Sequence, residues 1–205
     1  MSQDVAKPAG CRDRILEAAD RLFYEQGIRA VGVDTVAAEA GVSKRTLYNY
    51  FPSKDALIAA YLELRIRPNR TTDDPPVDQI LSYFDRIERR ISANGFRGCP
   101  FVNAVAEFGG TGHPASAIAL AFKERQRLWL RSLIERLTVP DPDRLATQIS
   151  LLVDGAIAAA LVRADPAMAR AGREAAQVLL ENAQAKAAEC RSSPISKKEG
   201  NGDVL

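Results

Sequence analysis

The chain has 205 residues, 46% of them hydrophobic, which suits one ordinary domain or a small domain joined to a larger one. The formal net charge is only +2, which excludes a uniformly basic nucleic-acid coat, so any DNA-binding case rests on where charge sits. Three scattered cysteines (Cys11, Cys99, Cys190) without a CxxC pair, and one histidine, His113, argue against a disulfide framework or a zinc site; no metal and no cofactor is expected.

The first ten residues lack an apolar signal core and are expected to be disordered. Ile15, Leu16, Ala18, Ala19, Leu22 and Phe23 recur at helical spacing and predict a helix from Cys11 to Gln26, closed by Gly27. A short helix over Val33–Ala40 buries Val36, Ala37 and Ala40, and Gly41 stops it. Ser43 caps a third helix that ends before Pro52, and Ser53 caps a fourth with Leu57, Tyr61 and Leu64 on one face. The polar, proline-rich "RPNRTTDDPP" marks a break at Arg67–Pro76. Beyond it, Val77, Ile80, Leu81, Phe84, Ile87 and Ile91 form a stripe, and "GFRGCPFVNAVAEFGGTGHP" reads as a short helix between glycine-rich loops. Long helices follow at about Ala115–Leu137, Asp143–Ala164 and Pro166–Glu189, then a polar tail over 191–205 that is expected to be disordered. No alternating strand pattern occurs, so the class is all-α.

Two short helices around Gly41 make a helix-turn-helix with a core of Val36, Ala37, Gly41, Val42 and Leu47. Gly41 permits the turn, and Val42 and Leu47 plug the space between the helices. Ser43, Lys44, Arg45, Thr46, Tyr48, Asn49 and Tyr50 are then left for the major groove, where a helix N-terminus reaches base edges. From Gly41 to Lys54 there are three basic residues and no acidic one. Phenolic groups can donate to phosphates or cover thymine methyls, and Lys54 opens a helix whose N-terminus suits a phosphate. The alternative is an ordinary solvated face on a helical interaction protein that binds no DNA.

The segment "VDTVAAEAGVSKRTLYNYFPSKDAL" closely resembles the N-terminal signature of the TetR family, over about residues 11–65. The resemblance implies an N-terminal three-helix DNA-binding domain, a connecting fourth helix, and a larger C-terminal helical domain for ligand binding and dimerisation. It implies a homodimer on a double-stranded DNA operator, usually a repressor released by a small molecule; an activator would use the same head. A reducing, cytoplasmic setting is read from the scattered cysteines and the lack of a signal core. By position it gives Lys44, Arg45 and Thr46 base or groove contacts, Tyr48 and Tyr50 backbone or groove contacts, and Lys54 a phosphate. One departure is Gly32, where the family often has a threonine capping the second helix; Thr35 is nearby. "GCPFVNAVAEF" resembles a stretch in one branch of the family's regulatory domains. The resulting layout is 1–10 disordered, 11–66 DNA-binding, 67–190 regulatory and dimerising, and 191–205 tail.

The helix around Ile149–Val162 is apolar nearly all round, so it is either a dimer face or a core helix. That apolar run is too short for a membrane span and is interrupted by Asp154. Phe84, Phe101, Phe108, Phe122 and Trp129, with Tyr83, are candidates to line a ligand pocket, and Asn103 or Glu107 to orient a ligand. An enzyme would need Cys99 as nucleophile and His113 as base, but no motif supplies a third group or an oxyanion site, so no catalytic residue is assigned.

Overall fold

The computed structural model describes residues 10–69, 71–109 and 112–192. Of the segments expected to be disordered, 1–10 and 191–205, residues 1–9 and 193–205 lie outside the described residues, whereas Gly10 N-caps the first helix and residues 191 and 192 continue the last one. Those described form α1 (Cys11–Gln26), α2 (Val33–Glu39), α3 (Lys44–Tyr50), α4 (Lys54–Arg65), α5 (Pro76–Ile91), α6 (Pro100–Phe108), α7 (Pro114–Glu135), α8 (Pro142–Arg163) and α9 (Ala167–Ser192). No strand occurs among them. The all-α expectation holds, with an N-terminal helix-turn-helix domain and a larger helical domain behind it.

Helix starts follow local chemistry. Ser43 Oγ accepts the Thr46 N–H at 3.0 Å, Ser53 Oγ accepts the Ala56 N–H at 3.0 Å, and Asp141 Oδ1 accepts the Arg144 N–H at 3.0 Å. Helices α5 to α8 each begin with proline, whose missing N–H costs nothing in the first turn.

The head is built on α1. Its buried face, with Ile15, Ala19, Leu22 and Phe23, packs on α2, α3 and α4. Phe23 meets Tyr61 of α4 edge to face at 5.6 Å. Helix α4 turns Leu57, Ile58, Tyr61 and Leu62 inward. Leu64, expected on that face, is 38% exposed, because the buried stripe follows the 58 and 62 positions instead. The other side of α4 packs on α7 and α6, so this one helix lies under both domains.

In the larger domain α5, α7, α8 and α9 pack on one another, α8 chiefly against α9 and α7. Phe84 of α5 is fully buried and sits where a Cβ at Gly172 of α9 would be, 3.1 Å from its ring, so the two helices approach closely because residue 172 is glycine. By length and composition α8 is apolar enough to cross a membrane, unlike the shorter run read from the sequence. It buries Leu145, Ala146, Ile149, Val153, Ala156, Ile157 and Ala160 inside the protein, and Asp154 pairs with Lys123 of α7. That pattern packs one face of α8 into the bundle and leaves the opposite face exposed.

Replacing Phe84 with Ala removes a fully buried ring beside a glycine that cannot refill the space. The expected loss is about 3–5 kcal/mol of stability, measured by urea unfolding at fixed protein concentration.

Candidate nucleic-acid interface

A seven-residue helix is too short to persist alone, so α3 depends on what holds it. Leu47 is fully buried and Phe51, its C-cap, is nearly so, while Val36 and Ala37 of α2 lie beneath and Val42 is half-buried against them. Gly41, expected within this core, is exposed; its φ of +64° makes the turn without filling space. Anchored on one side, α3 presents the other to solvent. Lys44, Arg45, Tyr48, Asn49 and Tyr50 are all exposed, the two tyrosines at 40% and 46%.

Two of the expected groove residues are engaged with each other. Ser43 Oγ and Thr46 Oγ1 are 2.8 Å apart, and Thr46 is half-buried. Lys44 Nζ donates to Asp34 Oδ2 at 3.0 Å, and that hydrogen bond and charge hold its pKa above the ordinary value. The locally unopposed positive charge read from the sequence is thus partly neutralised from α2, ten residues upstream. Gly32 is the N-cap of α2 and offers no side-chain cap, and Thr35 is exposed. Lys54, half-buried at the start of α4, has its pKa lowered by burial, against the raising effect of Glu107 and Asp55.

Behind the head, the larger domain grips the α1–α2 loop. Glu107 of α6 accepts the Ile28 N–H on Oε1 at 3.1 Å and the Arg29 N–H on Oε2 at 2.7 Å, while the Arg29 guanidinium donates to the Glu107 carbonyl at 3.0 Å. The Tyr24 hydroxyl donates to the Gly98 carbonyl at 3.1 Å and accepts the Arg97 N–H at 2.9 Å. Arg97 also donates to the Glu25 carbonyl. At the third point His113 Nδ1 accepts the Ala115 N–H, capping α7, and Nε2 lies 3.3 Å from Asp55 of α4. Sequence reading missed this junction. Its partners are separated by 58 to 79 positions, and no local pattern pairs them.

Between head and body lies a cavity of about 640 Å³. It is walled by Phe101 and Phe122, stacked with centroids 3.8 Å apart, and by Tyr83. The other pocket candidates are placed elsewhere. Phe84 is committed to the α9 contact, Phe108 stacks on His113 at 3.7 Å, and Trp129 packs edge-on against Tyr83 at 5.3 Å without lining the cavity. Asn103 donates to the Arg97 carbonyl at 2.7 Å, and Glu107 is the loop clamp, so neither faces this cavity. Cys99 is buried in the cavity wall, whereas His113 is engaged with Ala115, Asp55 and Phe108 at the junction. Among the described residues no cluster could hold a metal ion.

Residues 15–61 match the family of bacterial regulatory proteins, tetR family, and residues 76–175 match the C-terminal domain of LmrA/YxaF-like transcriptional regulators. The crystal structure of sav143 from Streptomyces avermitilis superposes with a TM-score of 0.77 at 37% identity, covering 85% of this chain and 98% of that one. SCO4454, a TetR-family transcriptional regulator from Streptomyces coelicolor, superposes with a TM-score of 0.79 at 32% identity, covering 85% and 96%. The chain belongs to the TetR family of transcriptional regulators. The HTH-type transcriptional regulator Rv1255c of Mycobacterium tuberculosis is 46% identical over 55 residues; this match spans about a quarter of its length, 27% of either chain.

In this TetR-family chain the Glu107 clamp joins the two matched regions. Substituting Glu107 with Ala strands the part-buried Ile28 N–H and returns the exposed Arg29 N–H to water, with the loss of two charge-assisted hydrogen bonds. A loss of about 1.5–3 kcal/mol is expected, read as a lowered urea midpoint with unchanged helix content by circular dichroism.

Proposed function

We propose that the protein is a homodimeric, cytoplasmic TetR-type repressor that binds a palindromic DNA operator and is released by a small-molecule ligand. The observation that carries this reading is the outward face of α3. A helix anchored by Leu47 and Phe51 leaves Arg45, Tyr48, Asn49 and Tyr50 exposed with no core role. In this reading Arg45, with Lys44 and Thr46, meets base edges, Tyr48, Asn49 and Tyr50 meet the groove wall and backbone, and Ser43 and Lys54 lie at the phosphates. Residues 11–66 form the DNA-binding region and 67–190 the regulatory one.

Affinity supports a dimer. One helix-turn-helix gains most of its binding from phosphates and is weak alone, at a Kd of about 10⁻⁴ to 10⁻⁶ M without specificity. Two heads one or more helical turns apart supply the rest. An exposed stripe on α8 fits the interface: Leu151, Gly155, Ala158 and Val162 recur at helical spacing, with Leu151 67% and Val162 86% exposed. The glycine and alanine allow another helix to approach closely, and Val178 of α9 is exposed as well.

The cavity supports ligand control. Asp20, Tyr24, Leu64 and Arg65 of the head share its wall with residues of α5, α6 and α7. A ligand that prefers one head position over another changes operator affinity by that preference, about 5- to 150-fold for a coupling of about 1–3 kcal/mol.

Selection from random duplexes should return a palindrome whose binding falls steeply with salt. Arg45→Ala and Tyr48→Ala should each weaken that site by about 1–3 kcal/mol while leaving thermal unfolding unchanged. Recovery of no sequence, or variants that bind as well as the parent, would overturn the reading. The double substitution Leu151→Glu with Val162→Glu should sediment as a monomer and lose the operator. A dimer that survives both charges would place the interface elsewhere.

A further inference from the structure

The cavity between head and body has an unbalanced wall. Five cationic side chains line it, Arg65, Arg67, Arg86, Arg90 and Lys123, against a single carboxylate, Asp20. Two of the five are already paired: Arg65 with Asp20, and Lys123 with Asp154. Arg67, Arg86 and Arg90 have no carboxylate within ion-pair distance among the described residues. Helix α5 explains the asymmetry. Two of its acids turn to α9, where Asp85 meets Arg173 at 3.2 Å and Glu88 meets Arg170. Its Arg86 and Arg90 lie along the cavity instead.

The floor is the opposite in character. Ile87, Cys99, Phe101, Phe122 and Ile157 line it with apolar atoms. The stacked Phe101 and Phe122 rings add a flat wall, and Tyr83 closes one side with its hydroxyl held by Gln126. We propose, taking the ligand-released regulator as given, that the effector is an amphipathic aromatic anion. Its flat apolar body lies on the Phe101–Phe122 wall, and its carboxylate or sulfonate-type group is held by Arg86 and Arg90.

The chemistry of each part fits. A guanidinium presents paired donors that match a carboxylate or sulfonate, and Arg86 and Arg90 are both exposed, so an anion entering from solvent can reach them. Arg86 lies over the Tyr83 ring at 5.2 Å, and both residues line the cavity. Burial pushes the Tyr83 hydroxyl up to about 12, so it stays a neutral donor and does not repel an anion. A volume of about 640 Å³ lies within the range for a ligand of several fused or linked rings.

The test uses two dyes with one skeleton. Anilinonaphthalene sulfonate carries the anion and phenylnaphthylamine lacks it, and both brighten in apolar surroundings. Full-length protein should bind the sulfonate about tenfold or more tighter than the neutral dye, the worth of one charge-assisted contact. Arg86→Gln with Arg90→Gln should erase that difference by weakening the sulfonate, while the neutral dye's affinity stays as before and reports an intact cavity. Equal binding of the two dyes overturns the proposal, as do sulfonate binding untouched by the substitutions and no sulfonate binding at all. Operator release is read in the same titrations. Release by the neutral dye alone would keep the ligand-controlled repressor and reject the anion. Charge-dependent binding without any release would keep the anion site and reject its control of DNA.

Discussion

The attachment of the small head to the larger body depends on one carboxylate. The α1–α2 loop exposes the N–H groups of Ile28 and Arg29 where no helix can pair them, and Glu107 accepts both. A buried or half-buried backbone donor without a partner is costly, so the loop is held wherever α6 carries that carboxylate. The Tyr24 hydroxyl works in parallel, giving its proton to the Gly98 carbonyl and taking the Arg97 N–H. Both grips lie on α6 and the loop before it. A shift of α6 therefore displaces the base of the DNA-binding domain.

Helix α4 adds a second connection between head and body. It is tied to α1 by the Arg65–Asp20 ion pair and by the Phe23–Tyr61 ring contact, and it packs on α7 and α6 from below. Arg65 lies 4.2 Å from the Tyr24 ring centroid, so the ion pair, the ring and the loop grip form one connected patch. The cavity opens against this patch. That is the physical basis for the proposed link between an occupant and the operator: Tyr24 and Arg65 line the same cavity.

The recognition helix illustrates how little of a short helix is needed for stability. Its cap, its buried Leu47 and its closing Phe51 hold it, and the remaining side chains have no structural duty. Asp34 qualifies the charge of this face, because it holds Lys44 in place and reduces its net positive charge. A phosphate or base edge that engages Lys44 must compete with Asp34. Helix α8 shows the same division of faces at larger scale, with one side packed on α7 and α9 and the 151, 155, 158 and 162 stripe uncovered.

Much of this was legible in the chain alone. Helix positions came within three residues, because serine caps, helix-opening prolines and apolar spacing are local signals of hydrogen bonding and burial. The helix-turn-helix and its family were readable for the same reason, since Gly41, Ser43 and Leu47 act within one turn of their own positions. What only the tertiary structure decided involves partners far apart in sequence. Leu64 faces the cavity because neighbouring helices set which side of α4 is covered. Glu107 serves the backbone, because the α1–α2 loop reaches it only in the folded chain. Among the described residues Arg86 and Arg90 line the cavity without a carboxylate partner, while Asp85 and Glu88 of the same helix pair with α9. Charge balance in a cavity is a property of three-dimensional neighbours, and the near-neutral total of the sequence carries no trace of it.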